Sequence, residues 1–283
     1  MTRLYKYEAA GNDFVLIPSL DTRLEITENQ VREICDRHYG IGADGVIILH
    51  KSDSYDFRMQ FFNNDGSGGM MCGNGGRCIV SLARECGIIP SGHNGSYIFE
   101  APDGIHTGKV LKSGHDGSDI VRLSLMDVRD PEIIQTEEKE YFPKAYRINT
   151  GCDHLVLFTR DTPQHTNLLT EGPRWRHDPR FAPKGVNVNF ASLSFHQETP
   201  IIELRTFEKG VEYETLSCGT GVVATAIAAY METGNRFPIH TKSGSVLTCE
   251  FNQADDSAGH FTDIYITGCA RKVFSTDNFV LRK

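Results

Sequence analysis

The chain has 283 residues, of which 39% are hydrophobic and 23% are charged, and its formal net charge at pH 7 is -8. No apolar run approaches the roughly 18 residues that a membrane-spanning helix needs, so we expect no membrane partner. Nucleic-acid surfaces need clustered Lys and Arg, and this acidic chain has no basic block, so we expect no nucleic-acid partner. The amino terminus lacks the pattern of a secretory leader, which favours a cytoplasmic location.

The first predicted elements are two strands, at 5–8 and 14–17, joined by the turn residues at 11–13. A helix is predicted over 27–37, because Thr27 is followed three residues later by Gln30, the pattern of a capping box. Further strands are predicted at 46–49, 57–62, 96–101, 121–126, 187–193, 201–207 and 264–267, and helices at 75–85 and 221–232.

Two motifs occur twice in the same order along the chain. The segment 10–16 precedes Cys-Gly-Asn-Gly at Cys72, and the segment 150–156 precedes Cys-Gly-Thr-Gly at Cys218. The offsets are similar, at 150 − 10 = 140 and 218 − 72 = 146 residues. An internal duplication is therefore predicted. Its halves are the domains 1–128 and 129–268, and the segment 269–283 is expected to return to the first half.

Each repeated cysteine precedes a predicted helix. The unpaired N–H groups and the positive end of the dipole at a helix start stabilise a thiolate, which predicts that Cys72 and Cys218 ionise more easily than a free thiol. The glycines that follow let a carboxylate approach the same N–H groups. Inverting a carbon centre by proton transfer needs a base on one face and an acid on the other, and two cysteines supply both without a cofactor.

Other interpretations of these residues were weighed. Most of the eight cysteines are expected to be buried free thiols, and neither half contains the closely spaced cysteine pair of a zinc site, so no metal is expected. The glycines at 40–45 lack the spacing of a nucleotide-binding loop and are interpreted as a structural turn. Taken alone, His154 is an ordinary polar strand residue, and Glu208 with Lys209 is a solvated charge pair.

The motifs together resemble the diaminopimelate epimerase family nearly end to end. The residues that carry the resemblance are GNDF at 11–14, GIGADG at 40–45, NNDGS at 63–67, MCGNGGRC at 71–78, NVNF at 187–190, RTFEKG at 205–210, ETLSCGTG at 214–221 and GCARKVF at 268–274. The resemblance implies an α/β (α+β) fold of two pseudo-symmetric domains, each a curved, mostly antiparallel sheet around a central helix. It also implies an isomerase of lysine and peptidoglycan precursor biosynthesis that needs no pyridoxal phosphate, converts LL- into meso-diaminopimelate and forms a homodimer.

The same resemblance implies roles for individual residues. Cys72 and Cys218 match the acid/base pair, and His154 and Glu208 match residues that support the reacting centre. The expected substrate contacts, the reacting carboxylate included, are Asn12, Asn63, Gly73, Asn74, Asn187, Glu208, Lys209, Gly219 and Thr220.

Two positions depart from the family pattern in the region that recognises the far end of the substrate. Cys152 stands where an asparagine or another small residue usually precedes Pro-His, and Lys209 replaces an arginine that can grip a carboxylate with two hydrogen bonds. Two alternatives therefore stay open: a sister racemase or epimerase acting on a different α-amino acid, and a non-catalytic amino-acid-binding protein.

Overall fold

The computed structural model describes residues 2–21, 24–69, 71–254 and 259–279. The chain forms two compact units, of which unit 1 is Met1–Ser124 with Gly268–Lys283 and unit 2 is Leu125–Thr267. The domain boundaries predicted from sequence lie at 128/129 and 268/269. The end of the predicted returning segment, 280–283, lies outside the described residues.

The described residues contain four helices and seventeen strands in chain order. They are β1 (Thr2–Ala9), β2 (Asn12–Ser19), α1 (Glu28–Cys35), β3 (Gly45–His50), β4 (Phe57–Asn63), α2 (Gly73–Glu85), β5 (Tyr97–Ala101), β6 (Gly104–Ser113), β7 (Ser118–Ser124), β8 (Val128–Arg129), β9 (Glu132–Ile134), β10 (Lys144–Asn149), β11 (Asp153–Phe158), α3 (Leu168–Arg176), β12 (Asn187–His196), β13 (Thr199–Glu208), β14 (Tyr213–Thr215), α4 (Gly219–Thr233), β15 (Ile239–His240), β16 (Val246–Gln253) and β17 (His260–Phe279).

In unit 1 the strand pairings close on themselves. Strands β1 to β7 pair in sequence order, and β17 pairs antiparallel with both β7 and β1. The β2/β3 and β4/β5 pairs are parallel, and all the others are antiparallel. Since parallel neighbours need a crossover connection, α1 joins the first parallel pair and α2 the second.

Unit 2 repeats this plan. Strands β10, β11, β12, β13, β15 and β16 pair in that order, and β16 pairs with the first part of β17. The parallel pairs are again the second and the fourth, β11/β12 and β13/β15, with α3 and α4 in their crossovers. The predicted duplication and the mixed fold class are confirmed by these matching orders of strand pairing.

The two crossover helices α2 and α4 are buried on all faces. Buried residues run without interruption from Gly73 to Ala83 in α2, and they include nearly every residue of α4 up to Ala229. The outer helix α1 packs on the opposite face of the unit 1 sheet, where Val31 and Ile34 meet Val15 and Val46. Alternation along the strands thus supplies apolar side chains to both faces of the sheet.

The predicted helix starts are confirmed, although both central helices begin two residues earlier than predicted, at Gly73 and Gly219. Thr27 and Gln30 form the predicted capping box. Helix α3 was not predicted, because Gly172 and Pro173 are poor helix formers and lie in its middle. Strand β16 was also missed, although its buried positions alternate with exposed ones. Within the described residues, no helix combines the length and the apolar character that crossing a membrane requires.

Candidate functional site

Cys72 and Cys218 occupy the same place in the two units. Each is the N-cap residue of a central helix, with φ/ψ of -107°/120° and -121°/112°, and neither side chain caps its own helix. Their carbonyls accept the first helical bonds, from Gly76 N at 2.7 Å and Val222 N at 2.9 Å. The N–H groups of the first turn therefore have no partner within either helix and can bind an anion beside the sulfur.

The Cys72 sulfur faces an amide oxygen. Cys72 is partly exposed, and its Sγ lies 3.7 Å from Asn12 Oδ1, which also accepts a 3.4 Å bond from Asn74 Nδ2. Asn12 Nδ2 donates to Asp44 Oδ2 at 2.6 Å, and Arg37 holds the other oxygen of Asp44 at 2.7 Å. Because the carboxylate can only accept, it fixes the orientation of the Asn12 amide and turns the amide oxygen toward the sulfur.

A buried arginine lies under the first turn of α2. Arg77 is fully buried and donates to Gly73 O at 3.2 Å and to Asn74 Oδ1 at 2.8 Å. Its Nε has no hydrogen-bond partner among the described residues. Burial lowers the pKa of Arg77, while nearby thiols, Cys72 among them, favour its charged form. The guanidinium thus fixes the Asn74 side chain and places positive charge close to Cys72.

The Cys218 sulfur faces a hydroxyl group. Cys218 is buried, and its Sγ lies 3.4 Å from Thr220 Oγ1, which is in turn 3.0 Å from His154 Nε2. Burial raises the pKa of Cys218 well above its usual value, and the charge of Glu208 raises it further. The prediction that this helix start makes the thiol easier to ionise is therefore wrong for Cys218. Desolvation outweighs the opposing hydrogen bonds from Thr220 and Gly221.

Cys152 lies beside the same group of residues. Its Sγ is 3.3 Å from His154 Nε2, 3.6 Å from Thr220 Oγ1 and 3.5 Å from Asn187 Nδ2. Asn187 also donates to Asp153 O at 3.2 Å, and its Oδ1 accepts the backbone N–H of Lys209 at 2.9 Å. In unit 2 the structure therefore brings together the predicted residues Cys218, Thr220, His154 and Asn187, and adds Cys152 to them.

The remaining predicted residues lie at strand ends. Asn63 ends β4, where its Nδ2 donates to Ser67 Oγ at 3.0 Å, and it pairs with Gly45, which pairs on its other side with Phe14 next to the start of β2. Glu208 ends β13 and is partly buried, whereas Lys209 is exposed. Asn63 thus lies at the sheet edge of unit 1 where Asn12 is found.

Sequence reasoning missed Asn189, Asp44 and Arg77. Asn189 and Asn187 are both in β12 and have the same side-chain direction, a period-two signal that could have identified the second asparagine. Asp44 and Arg77 belong to motifs that were quoted only as whole segments, and no sequence signal shows which side chains they contact. All eight cysteines are free thiols. In the described part of the chain, no group of three or more His, Cys, Asp or Glu residues is arranged to hold a metal ion.

Comparison with known proteins agrees with this arrangement. The family model described as "Diaminopimelate epimerase" matches residues 4–122 and 146–273. The diaminopimelate epimerase of Flavobacterium psychrophilum is 38% identical over 283 residues, covering 97% of this chain and 99% of that protein. That of Chlorobaculum tepidum is 37% identical over 268 residues, covering 94% and 96%.

Solved structures show the same fold at low sequence identity. A phenazine biosynthesis protein of the PhzF family from Bacillus anthracis superposes with a TM-score of 0.69 at 15% identity, covering 99% of both chains. By its family match and its near full-length relatives, the chain belongs to the diaminopimelate epimerase family.

Proposed function

We propose that this protein is an isomerase that converts LL-diaminopimelate into meso-diaminopimelate, a step in the formation of lysine and peptidoglycan precursors. The observation that carries the proposal is the pair of cysteines at matching helix starts, in a chain that belongs to the diaminopimelate epimerase family along almost its full length. We further propose a cytoplasmic homodimer, which light scattering on the purified protein would test.

The two thiols carry out the inversion. A thiolate removes the α-proton, the electron pair of the broken C–H bond stays on the carbon, and the opposite thiol donates its proton to the other face. Because burial raises the pKa of Cys218, the free protein presents this residue as a thiol, which is the proton-donating form. Cys72 is then the base in the direction that Cys218 completes, and the roles exchange in the reverse direction.

The helix starts stabilise the charge that develops during this transfer. The first-turn N–H groups of Gly73, Asn74, Gly219 and Thr220 bind the reacting carboxylate and withdraw charge from the carbanion. Their positions are preorganised, since α2 and α4 are buried at the centre of their units. No electron-accepting cofactor enters this mechanism.

The far end of the substrate is the less certain part of the specificity, and a sister amino-acid racemase is the second candidate. The observation that favours it is the contact of Cys152 with Asn187, since a thiol occupies a position where the family usually has a carboxamide. Lys209 keeps the positive charge of the usual arginine but offers no bidentate fork. Competition by a lysine-like amino acid as strong as that by diaminopimelate would favour this candidate.

The test is incubation with LL-diaminopimelate in heavy water without added cofactor. We expect deuterium at the α-carbon together with the appearance of the meso isomer. Exchange with another amino acid but not with diaminopimelate would replace the proposed substrate. Absence of exchange with every α-amino acid tested would support a binding protein instead.

A further inference from the structure

Asn189 is a fully buried side chain with all of its hydrogen-bonding groups occupied. Its Nδ2 donates to Leu155 O at 3.2 Å and lies 3.0 Å from His154 Nδ1. Its Oδ1 accepts a 3.0 Å bond from Thr206 Oγ1. A carbonyl oxygen can only accept, so the contact with Leu155 fixes which end of the amide is the nitrogen.

The fixed amide determines the tautomer of His154. The same Nδ2 that donates to Leu155 O has its second proton directed at His154 Nδ1, so this ring nitrogen must be the acceptor. Burial lowers the pKa of His154 to about 3, so the ring is neutral and has a single proton. That proton is therefore on Nε2.

The proton on Nε2 sets the direction of the next contacts. Nε2 lies 3.0 Å from Thr220 Oγ1 and 3.3 Å from Cys152 Sγ. When Thr220 accepts from His154, its own hydroxyl proton is available to Cys218 Sγ at 3.4 Å. The chain of contacts then donates in one direction, from Asn189 to His154 and from His154 through Thr220 to the Cys218 sulfur.

We infer that Asn189 is a positioning residue, which holds His154 in the Nε2–H form so that Thr220 donates a hydrogen bond to Cys218 whenever that residue is a thiolate. Its catalytic consequence rests on the proposed function. A donated hydrogen bond stabilises the thiolate that forms after Cys218 has given up its proton, and it returns Cys218 to the base form for the reverse reaction.

The backbone around Asn189 is fitted to this side chain. A Cβ added to Gly221 would lie 2.5 Å from Asn189 Oδ1, a distance that Cβ atoms do not tolerate. The glycine of the second Cys-Gly-X-Gly motif therefore makes room for the amide as well as for the substrate carboxylate. Thr206, on the neighbouring strand β13, anchors the amide from its other end.

The test combines two measurements that need no substrate with one that does. Nitrogen-15 NMR of His154 reports which ring nitrogen has the proton. Iodoacetamide alkylation at one fixed pH, mapped to Cys218 by mass spectrometry in a Cys72→Ala background, reports the reactivity of the thiol. The rate of α-deuterium incorporation reports turnover. The variants are Asn189→Asp, whose carboxylate accepts from Nδ1–H, and Thr206→Val, which keeps the amide but removes its anchor.

We expect Nε2–H in the unmodified protein, and Nδ1–H in Asn189→Asp with alkylation of Cys218 slowed several-fold and kcat reduced with little change in KM. Thr206→Val should give a mixture of tautomers and an intermediate rate. Asn235→Asp, in the exposed segment after α4, is the matched control and should change none of the three readouts. The inference is overturned if the unmodified protein shows Nδ1–H, or if the tautomer switches while the Cys218 alkylation rate stays unchanged.

These outcomes separate the inference from the proposed function. Failure of LL-diaminopimelate to exchange in the unmodified protein would contradict the proposed substrate, whereas the NMR and alkylation results would still decide the role of Asn189. If Asn189→Asp fails to fold, Thr206→Val decides it from the same two readouts.

Discussion

The two units begin their central helices with the same motif, yet they surround its cysteine with groups of opposite hydrogen-bonding character. In unit 1 the Cys72 sulfur faces the oxygen of Asn12, an acceptor that Asp44 holds in place. In unit 2 the Cys218 sulfur faces the Thr220 hydroxyl, which can donate. The duplicated scaffold thus repeats the position of the sulfur while its proton chemistry differs between the units, as a reaction with one acid and one base requires.

The charges near the two helix starts differ as well. Arg77 lies under the first turn of α2, and the corresponding position of α4, at 77 + 146 = 223, is the buried Val223. Beside Cys218 the charge that acts on the thiol is that of Glu208, which raises its pKa. A cation near one sulfur and an anion near the other make the two thiols unequal before any substrate binds.

Removal of either sulfur should produce the largest effect. In Cys72→Ala and in Cys218→Ala, one face of the α-carbon loses its acid or base, so conversion of the LL to the meso isomer should fall by roughly 10²–10⁴-fold. Chiral chromatography of the products measures it. Cys86→Ala, at the other end of α2, is the matched control. Near-normal conversion by either active-site variant would contradict the two-thiol mechanism.

Loss of the Thr220 hydroxyl should have the next largest effect. Thr220→Val removes the group between His154 and Cys218 but keeps the backbone N–H, so kcat should fall by about 10–100-fold, in the range of a lost polar contact to a charged transition state. Thr225→Val, which removes a hydroxyl bonded only within α4, is the matched control. Equal effects of the two variants would mean that Thr220 acts only through packing.

The network of unit 1 should be less sensitive. In Asp44→Asn the Asn12 amide loses its charged partner and can turn its oxygen away from Cys72, so kcat should fall by about tenfold, the cost of one charge-assisted hydrogen bond. The deuterium-exchange assay measures it, with Asp116→Asn, in an exposed turn, as the control. A loss as large as that of Cys72→Ala would show that unit 1 depends on its network as strongly as on its sulfur.

The smallest effect concerns stability and tests the burial of His154 in unit 2. The folded protein keeps this ring neutral down to a pH of about 3, whereas the unfolded chain binds a proton below the ordinary pKa of about 6.5. Stability should therefore decrease as the pH falls from 6.5 toward 3, with His154 contributing about 1.4 kcal/mol per pH unit.

Urea unfolding of His154→Asn between pH 7 and 4 measures this contribution. The variant should lose stability less steeply with falling pH, by about one proton. An unchanged slope would mean that His154 is solvated or protonated in the folded protein.

The sequence by itself determined the duplication, the fold class, the two helix starts and the membership of an epimerase family. These features are encoded locally, since Cys-Gly-X-Gly before an apolar run predicts a helix start wherever it occurs, and a repeated order of motifs predicts repeated units. Prediction was weaker for α3, where Gly172 and Pro173 act against the helix and the packing of Trp175 in the core of unit 2 stabilises it.

Only the tertiary structure decided what each sulfur contacts. The orientation of Asn12 depends on Asp44, 32 residues away, and that of His154 on Asn189, 35 residues away. Such contacts form when β11 and β12 pair, so no local pattern contains them. The pKa of Cys218 follows the same rule, because burial is a property of the folded unit, and here it exceeds the stabilisation that a helix start gives to a thiolate.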